Sequence, residues 1–279
     1  MTASYPRLVD SGLHSPQSIF ELSTTPKHEI GACARLIGGR VFYYARYSNS
    51  NARAAGLVLA AATPSALFEN VAVGTIGIGQ KTITGLSAGT TATAAVTRNA
   101  YQYLAINDGT AEGRMFRLKS HGTITNTTTT QTGLSAELYD ELPVAIPAAS
   151  EVTLVKDLYA DVVVAPTDGA DRAAGVAHVA MVDSSTTPRY FWCQSYGPCA
   201  AFVSTNALGP GTPLVIGTTA GHLIQCDQTA NIVGTHTKSA TKISDTDTVN
   251  AGRVLAFTIG NTTITTEVNM VDLIIKAAA

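Results

Sequence analysis

The run from Arg189 to Asp227, RYFWCQSYGPCAAFVSTNALGPGTPLVIGTTAGHLIQCD, constrains the fold most. It carries the only Trp and three of the four Cys. Its residues alternate as a strand requires. Tyr190, Trp192, Gln194 and Tyr196 point to one face, and Phe191, Cys193 and Ser195 to the other. Gly197-Pro198 is expected to break this strand, with a second starting at Cys199 to Val203. Asn206 to Pro213 is rich in Gly and Pro and reads as a loop. Leu214 to Ile216 reads as a third strand, and Thr218 to Gly221 turns it into a fourth, His222 to Cys226. The expectation is an antiparallel meander closing a small barrel or sandwich.

The rest of the chain repeats this pattern. Gly39 to Tyr47, GRVFYYARY, sets Val41, Tyr43, Ala45 and Tyr47 against Phe42, Tyr44 and Arg46. Ala100 to Ile106 alternates cleanly, Asn107-Asp108-Gly109 signals a tight turn, and Gly113 to Ser120 returns as the partner strand. Val71 to Thr84 places Gly between β-branched residues, as in paired strands with bulges. Ala52 to Ala62 has helical propensity, but Gly56 and its β-rich flanks favour an extended segment. Leu134 to Leu142 reads as a short helix capped by Ser135, with acids in its first turns and Pro143 behind it. Further strands are expected at Glu151 to Lys156, Asp161 to Ala165, Gly175 to Val182, Asn231 to Thr237, Arg253 to Ile259 and Thr262 to Lys276. Turns about every ten residues mark sandwiches and barrels. The fold class is therefore all-β, mainly antiparallel, with at most one or two short helices. Residues 1–30, punctuated by Pro6, Pro16 and Pro26, read as an extended arm. Residues 31–165 and 166–279 read as two β domains.

Composition narrows the function classes. Of 279 residues only 14% are charged, against roughly 25% in an average domain. Such a surface suits a chain that buries much of its outside against neighbours better than a free cytosolic enzyme. The net charge is −2 without a basic block, which argues against nucleic acid as a partner. No apolar run reaches the length of a membrane span, and the N-terminus lacks the apolar core of a signal peptide. The four Cys give no CxxC pair, so zinc is not suggested. Cys193 and Cys199 flank a turn that a disulfide could bridge, but buried thiols are expected.

No catalytic, cofactor-binding or metal-binding residue is assigned. Gly85 to Gly89, GLSAG, matches the GxSxG elbow around Ser87. The elbow needs a helix behind it, however, and β-prone Thr90 to Thr97 follows instead. Gly74 to Thr82, GTIGIGQKT, lacks the adjacent Gly-Lys of a phosphate loop. None of the six His pairs with another at metal-ligand spacing, and His178 reads as a satisfied core or interface residue. Asp108 with Glu112, and Asp168 with Asp171, read as solvated turns. Trp192, Tyr190 and Tyr196 could stack on a ligand, but a core or subunit-interface plug is the better reading.

Several motifs in order then carry a resemblance: GRVFYYARY, AYQYLAINDGTAEGRMFRLKSH, LPVAIPAASEVTLVKDLYADVVVAPT, GVAHVAMV, YFWCQSYGPCAAF and a closing VDLIIK. Together they resemble virion structural proteins of tailed bacteriophages. The course after Trp192 is similar to capsid decoration or cement proteins. The resemblance implies a non-enzymatic protein on the outer surface of the capsid, assembled in the host cytoplasm. Its partners would be the major capsid protein and itself, as a homotrimer, with no membrane and no cofactor. Capsid and subunit contacts are expected at Ile19, Phe20 and Leu22 of the arm, reaching a neighbour, and at Phe42, Tyr44, Tyr190, Trp192 and Tyr196. The alternatives are a tail, neck or head-fibre component, a carbohydrate-binding module built on Trp192, and a hydrolase acting through Ser87.

Overall fold

The computed structural model describes residues 5–9, 11–49, 51–62, 69–88, 103–122, 131–148, 150–167, 172–184, 186–204, 208–217, 219–225, 256–259 and 267–275. Every regular element among them is a strand. The chain forms two compact units. Residues 63–157 are one, and residues 1–62 with 158–279 are the other. This corrects the expected division into an arm and two consecutive domains. The smaller unit is an insertion between two strands that pair with each other, β4 (Val58–Ala60) and β11 (Val163–Val164).

The inserted unit is one six-stranded sheet. Its order is β5 (Val71–Ala72), β10 (Glu151–Val155), β7 (Tyr103–Asp108), β8 (Met115–His121), β9 (Gln131–Leu138) and β6 (Thr82–Ala88). The sheet curls until its ends approach, where Gly74 N–H donates to Thr84 O at 3.1 Å. A nearly closed barrel results, filled by Ile83, Leu86, Leu104, Ile106, Leu118, Leu138, Val152 and Leu154. The expected hairpin is present over residues 103–121, with Leu104 opposite Phe116. The helix expected over Leu134 to Leu142 is absent, because the chain runs there as β9 and then turns. Ala136 and Leu138 face the core and Tyr139 faces solvent. Period-two burial overrides a modest helical propensity.

The larger unit centres on β13 (Arg189–Val203), a continuous strand of 15 residues. Its first half pairs antiparallel with β3 (Val41–Tyr47). Beyond β3 lie β2 (Cys33–Arg35) and then β1 (Arg7–Leu8). On its other side, β13 pairs with β12 (Ala173–Ala177), which continues to β4. The second half of β13 closes a ring. It pairs antiparallel with β17 (Glu267–Ile274), which leads through β16 (Ala256–Thr258), β14 (Pro213–Ile216) and β15 (Leu223–Gln225) back to Val203. Cys199, Ala201, Val203, Leu214, Ile216, Leu223, Val271 and Leu273 fill this second barrel.

Two expectations change here. The chain after Trp192 is not a meander, since β15 pairs with β13 in parallel and β14 does not pair with β13. Gly197-Pro198 also does not end the strand. Gly197 takes a φ of +83°, where glycine alone is unstrained, and the register slips between Gln194 and Tyr196. The result is a bulge that bends β13 from the flat sheet into the barrel. The Gln194 amide holds it, donating to the carbonyls of Tyr196 (2.9 Å), Gly197 (3.0 Å) and Pro198 (2.9 Å).

Candidate docking surface

The aromatic residues singled out from the sequence come together, but inside the molecule. Both faces of β3 are buried along its whole length. On one face Tyr43 stacks on Tyr159 at 4.7 Å, with Val41, Tyr47, Phe191 and Cys193 around them. The opposite face is formed by Phe42, Tyr44 and Trp192, and residues 13–30 lie across it as a strap, with Ile19 packed into the cluster. The arm is therefore folded onto its own sheet, not along a neighbour. Ser23 and Tyr190 exchange backbone hydrogen bonds of 2.9 and 2.8 Å. Gln17 Nε2 donates to Tyr190 O (2.8 Å) and Glu21 O (2.9 Å), and Tyr44 O–H donates to Gln17 Oε1 (2.6 Å). Burial pushes the Tyr44 phenol up to about 12.

This corrects most of the expected contact residues. Ile19, Phe42, Tyr44 and Trp192 are fully buried, so none can meet a partner while the strap is in place. Leu22 and Tyr190 are half-buried against the two clusters. Phe20 (57% exposed) and Tyr196 (38%) alone of that set keep a substantial free surface.

Tyr196 belongs to an exposed face that sequence reading did not single out. In the second barrel Val271, Leu273, Ala256, Thr258, Cys199 and Ala201 point inward. The intervening residues must point outward. Register sets Tyr196 beside Ile274, Pro198 beside Asp272 and Phe257, and Ala200 beside Met270. Ile259 joins this last row, its N–H donating to Met270 O at 3.1 Å. Phe257 is 37% exposed, Ile259 46%, Met270 52% and Ile274 39%. The outer face of β13, β16 and β17 is thus an apolar strip three strands wide, and Asp272 is the single charge among its described residues. The signal was the alternation in AFTI and MVDLI, which marks outward residues as clearly as inward ones.

The chemistry weighed in the sequence finds no support in the geometry. Gly85 to Ala88 of the GxSxG segment lie in strand β6, and Gly89 with the residues behind it lies outside the described residues. Gly74 of GTIGIGQKT serves barrel closure, since a Cβ on it would stand 3.1 Å from Thr84 O and one on Gly85 would stand 2.9 Å from Gly74 N. His178 is satisfied: it meets Gln194 Oε1 through Nε2 at 2.6 Å. Cys193 and Cys199 are reduced thiols. Burial raises both, Cys199 to about 12, as expected of inert core residues. Asp108 Oδ1 accepts Gly109 N–H at 2.6 Å. Asp168 and Asp171 lie outside the described residues. Among the described residues no group of His, Cys, Asp and Glu could hold a metal ion, and no helix is long and apolar enough to cross a membrane.

One pair missed from the sequence has the spacing of a hydrolytic dyad. Ser15 Oγ lies 2.8 Å from His28 Nε2, beside an open cleft of about 610 Å³ lined by Tyr5, His14, Ser15 and Pro16. The oxygen also accepts Gln17 N–H (3.0 Å) and Trp192 Nε1–H (3.2 Å). Both of its lone pairs are engaged, leaving none to attack a substrate. No protein family, curated protein or solved structure matches the chain.

Proposed function

We propose that this chain is a structural virion protein of the capsid-decoration type, docking on the head through the outer face of β13, β16 and β17. The observation that carries the reading is that strip of Tyr196, Phe257, Ile259, Met270 and Ile274 on a chain with only 14% charged residues. Contiguous exposed apolar surface of this kind marks protein contacts, and aromatic and Met side chains with few charges are the composition of interface cores. Resemblance of the ordered motifs to tailed-phage head proteins supplies the partner, the major capsid protein.

Asp272 argues for the kind of surface it meets. Two copies packed face to face about a two-fold axis would bury two Asp272 carboxylates in an apolar contact that offers neither a cation, at a large desolvation cost. A shell surface that is apolar and places one Lys or Arg opposite Asp272 avoids that cost. A homotrimer remains compatible, because a three-fold contact pairs unlike surfaces. Weak single contacts suffice when many copies bind one lattice, each holding its neighbours in register.

The test is pelleting with purified heads that lack this protein, using wild type and a Phe257→Asp/Met270→Asp double variant whose fold is checked by circular dichroism. Wild type is expected to pellet at a copy number comparable to the shell subunit, and the folded double variant to stay in solution. Equal pelleting of both would remove the face from the contact. Failure of wild type to pellet would remove the decoration role.

A further inference from the structure

We propose that His28 is an acid-sensitive latch: protonation of its Nε2 releases the strap of residues 13–30 from β3 and β13 while the barrels stay folded. The reasoning is a count of donors and acceptors in a cluster where Ser15, Gln17 and Trp192 are buried and His28 is half-buried. Ser15, 3% exposed, accepts Gln17 N–H and Trp192 Nε1–H on its oxygen. Its own proton must therefore go to His28 Nε2, 2.8 Å away. That bond requires a bare Nε2, so the ring is neutral with its proton on Nδ1.

Protonation makes Nε2 a fourth donor. Trp192 Nε1 can turn fully to Gln17 O, at 3.2 Å, which frees one lone pair on Ser15 for the imidazolium. The Ser15 hydroxyl proton then has no acceptor. With these contacts held, one of the four donors is left without a protein partner, a cost the neutral form does not carry. The imidazolium edge would also stand among apolar rings, with Tyr44 and Trp192 centroids each 5.2 Å away.

The surrounding charges do not supply a counter-ion from the sheet. β3 presents Tyr44, neutral throughout this range, and β13 presents Trp192 and the half-buried Tyr190. On the strap, Lys27 and Glu29 flank His28 and are exposed, as are His14 and Glu21. The Glu21 carboxylate accepts Ser18 N–H at 3.2 Å. Burial lowers the His28 pKa from the usual histidine value, consistent with a site built for the neutral ring. A lowered folded value means the latch is fully closed above about pH 6.5, the unfolded value, and opens as pH falls through the lower folded value.

Trp192 is the only Trp of the chain, so its fluorescence reports the latch directly. In wild type, emission is expected to shift to the red in a single transition centred below pH 6.5, with far-UV circular dichroism unchanged. His28→Gln offers an amide oxygen to Ser15 without titrating, and is expected to hold emission constant down to pH 5. Should that variant fold poorly, His28→Asn serves instead. It offers the same amide oxygen on a shorter side chain and does not titrate, so Trp192 emission should again stay constant over this range. Constant wild-type emission between pH 8 and 5 would overturn the latch. So would a transition unchanged in both variants, or one that coincides with loss of the barrels.

Discussion

Gln194 makes the bend of β13 possible, and its removal tests that account quantitatively. The side chain is fully buried. Its two amide hydrogens are shared over three carbonyls at 2.9–3.0 Å, and its Oε1 meets His178 Nε2 at 2.6 Å. Gln194→Ala removes the equivalent of three hydrogen bonds, each contributing about 1 kcal/mol net. It also takes the Oε1 partner from His178, so the loss should reach about 3–4 kcal/mol. For a folding unit of this size that lowers the melting temperature by roughly 6–16 °C. Differential scanning calorimetry measures it. Gln194→Glu is the sharper control, because it keeps the acceptor for His178 but aims a carboxylate at three carbonyl oxygens, and it should be at least as damaging. A melting temperature within about 2 °C of wild type for Gln194→Ala would refute the clamp, since surface substitutions alone shift stability by up to about 0.5 kcal/mol.

Two further outcomes follow from buried groups. The Arg46 guanidinium forms a two-pronged pair with Asp161, both contacts 2.7 Å, with the Arg46 side chain 8% exposed. Asp161→Ala strands that cation and should cost about 3–5 kcal/mol in denaturant unfolding, whereas a loss under about 1 kcal/mol would mean that water already solvates Arg46. The raised thiols of Cys193 and Cys199 should keep both unmodified by iodoacetamide at pH 8 in the native protein, with labelling only after denaturation. Peptide mapping that finds either labelled as fast as half-buried Cys33 would show that β13 opens.

Much of the fold was legible because its strands send side chains to alternate faces with period two. Alternation in GRVFYYARY and RYFWCQS assigned each side chain to its correct face, and the hairpin over 103–121 followed from its turn and flanks. What failed depended on partners distant in sequence. Gly197-Pro198 looks like a strand end until Gln194 satisfies the carbonyls of the bulge. Leu134 to Leu142 has a cap and acids suited to a helix, yet β6 and β8 offer it ladders on both sides. The inserted unit was invisible because β4 and β11 announce no pairing across it. At the site, local pattern identified the aromatic residues but not their burial, which depends on where the strap lies. Ser15, Gln17 and His28 carry no sequence motif, and only the folded strap makes them a cluster.

The most direct measurement is the copy number and position of this chain in purified phage heads, by quantitative electrophoresis and electron cryo-microscopy. The decoration role predicts a number comparable to the shell subunit, on the outer surface, with the face of Phe257, Met270 and Asp272 against the shell. A dozen or so copies at one vertex would contradict it in favour of a neck or tail part, and absence from the particles would contradict every structural role.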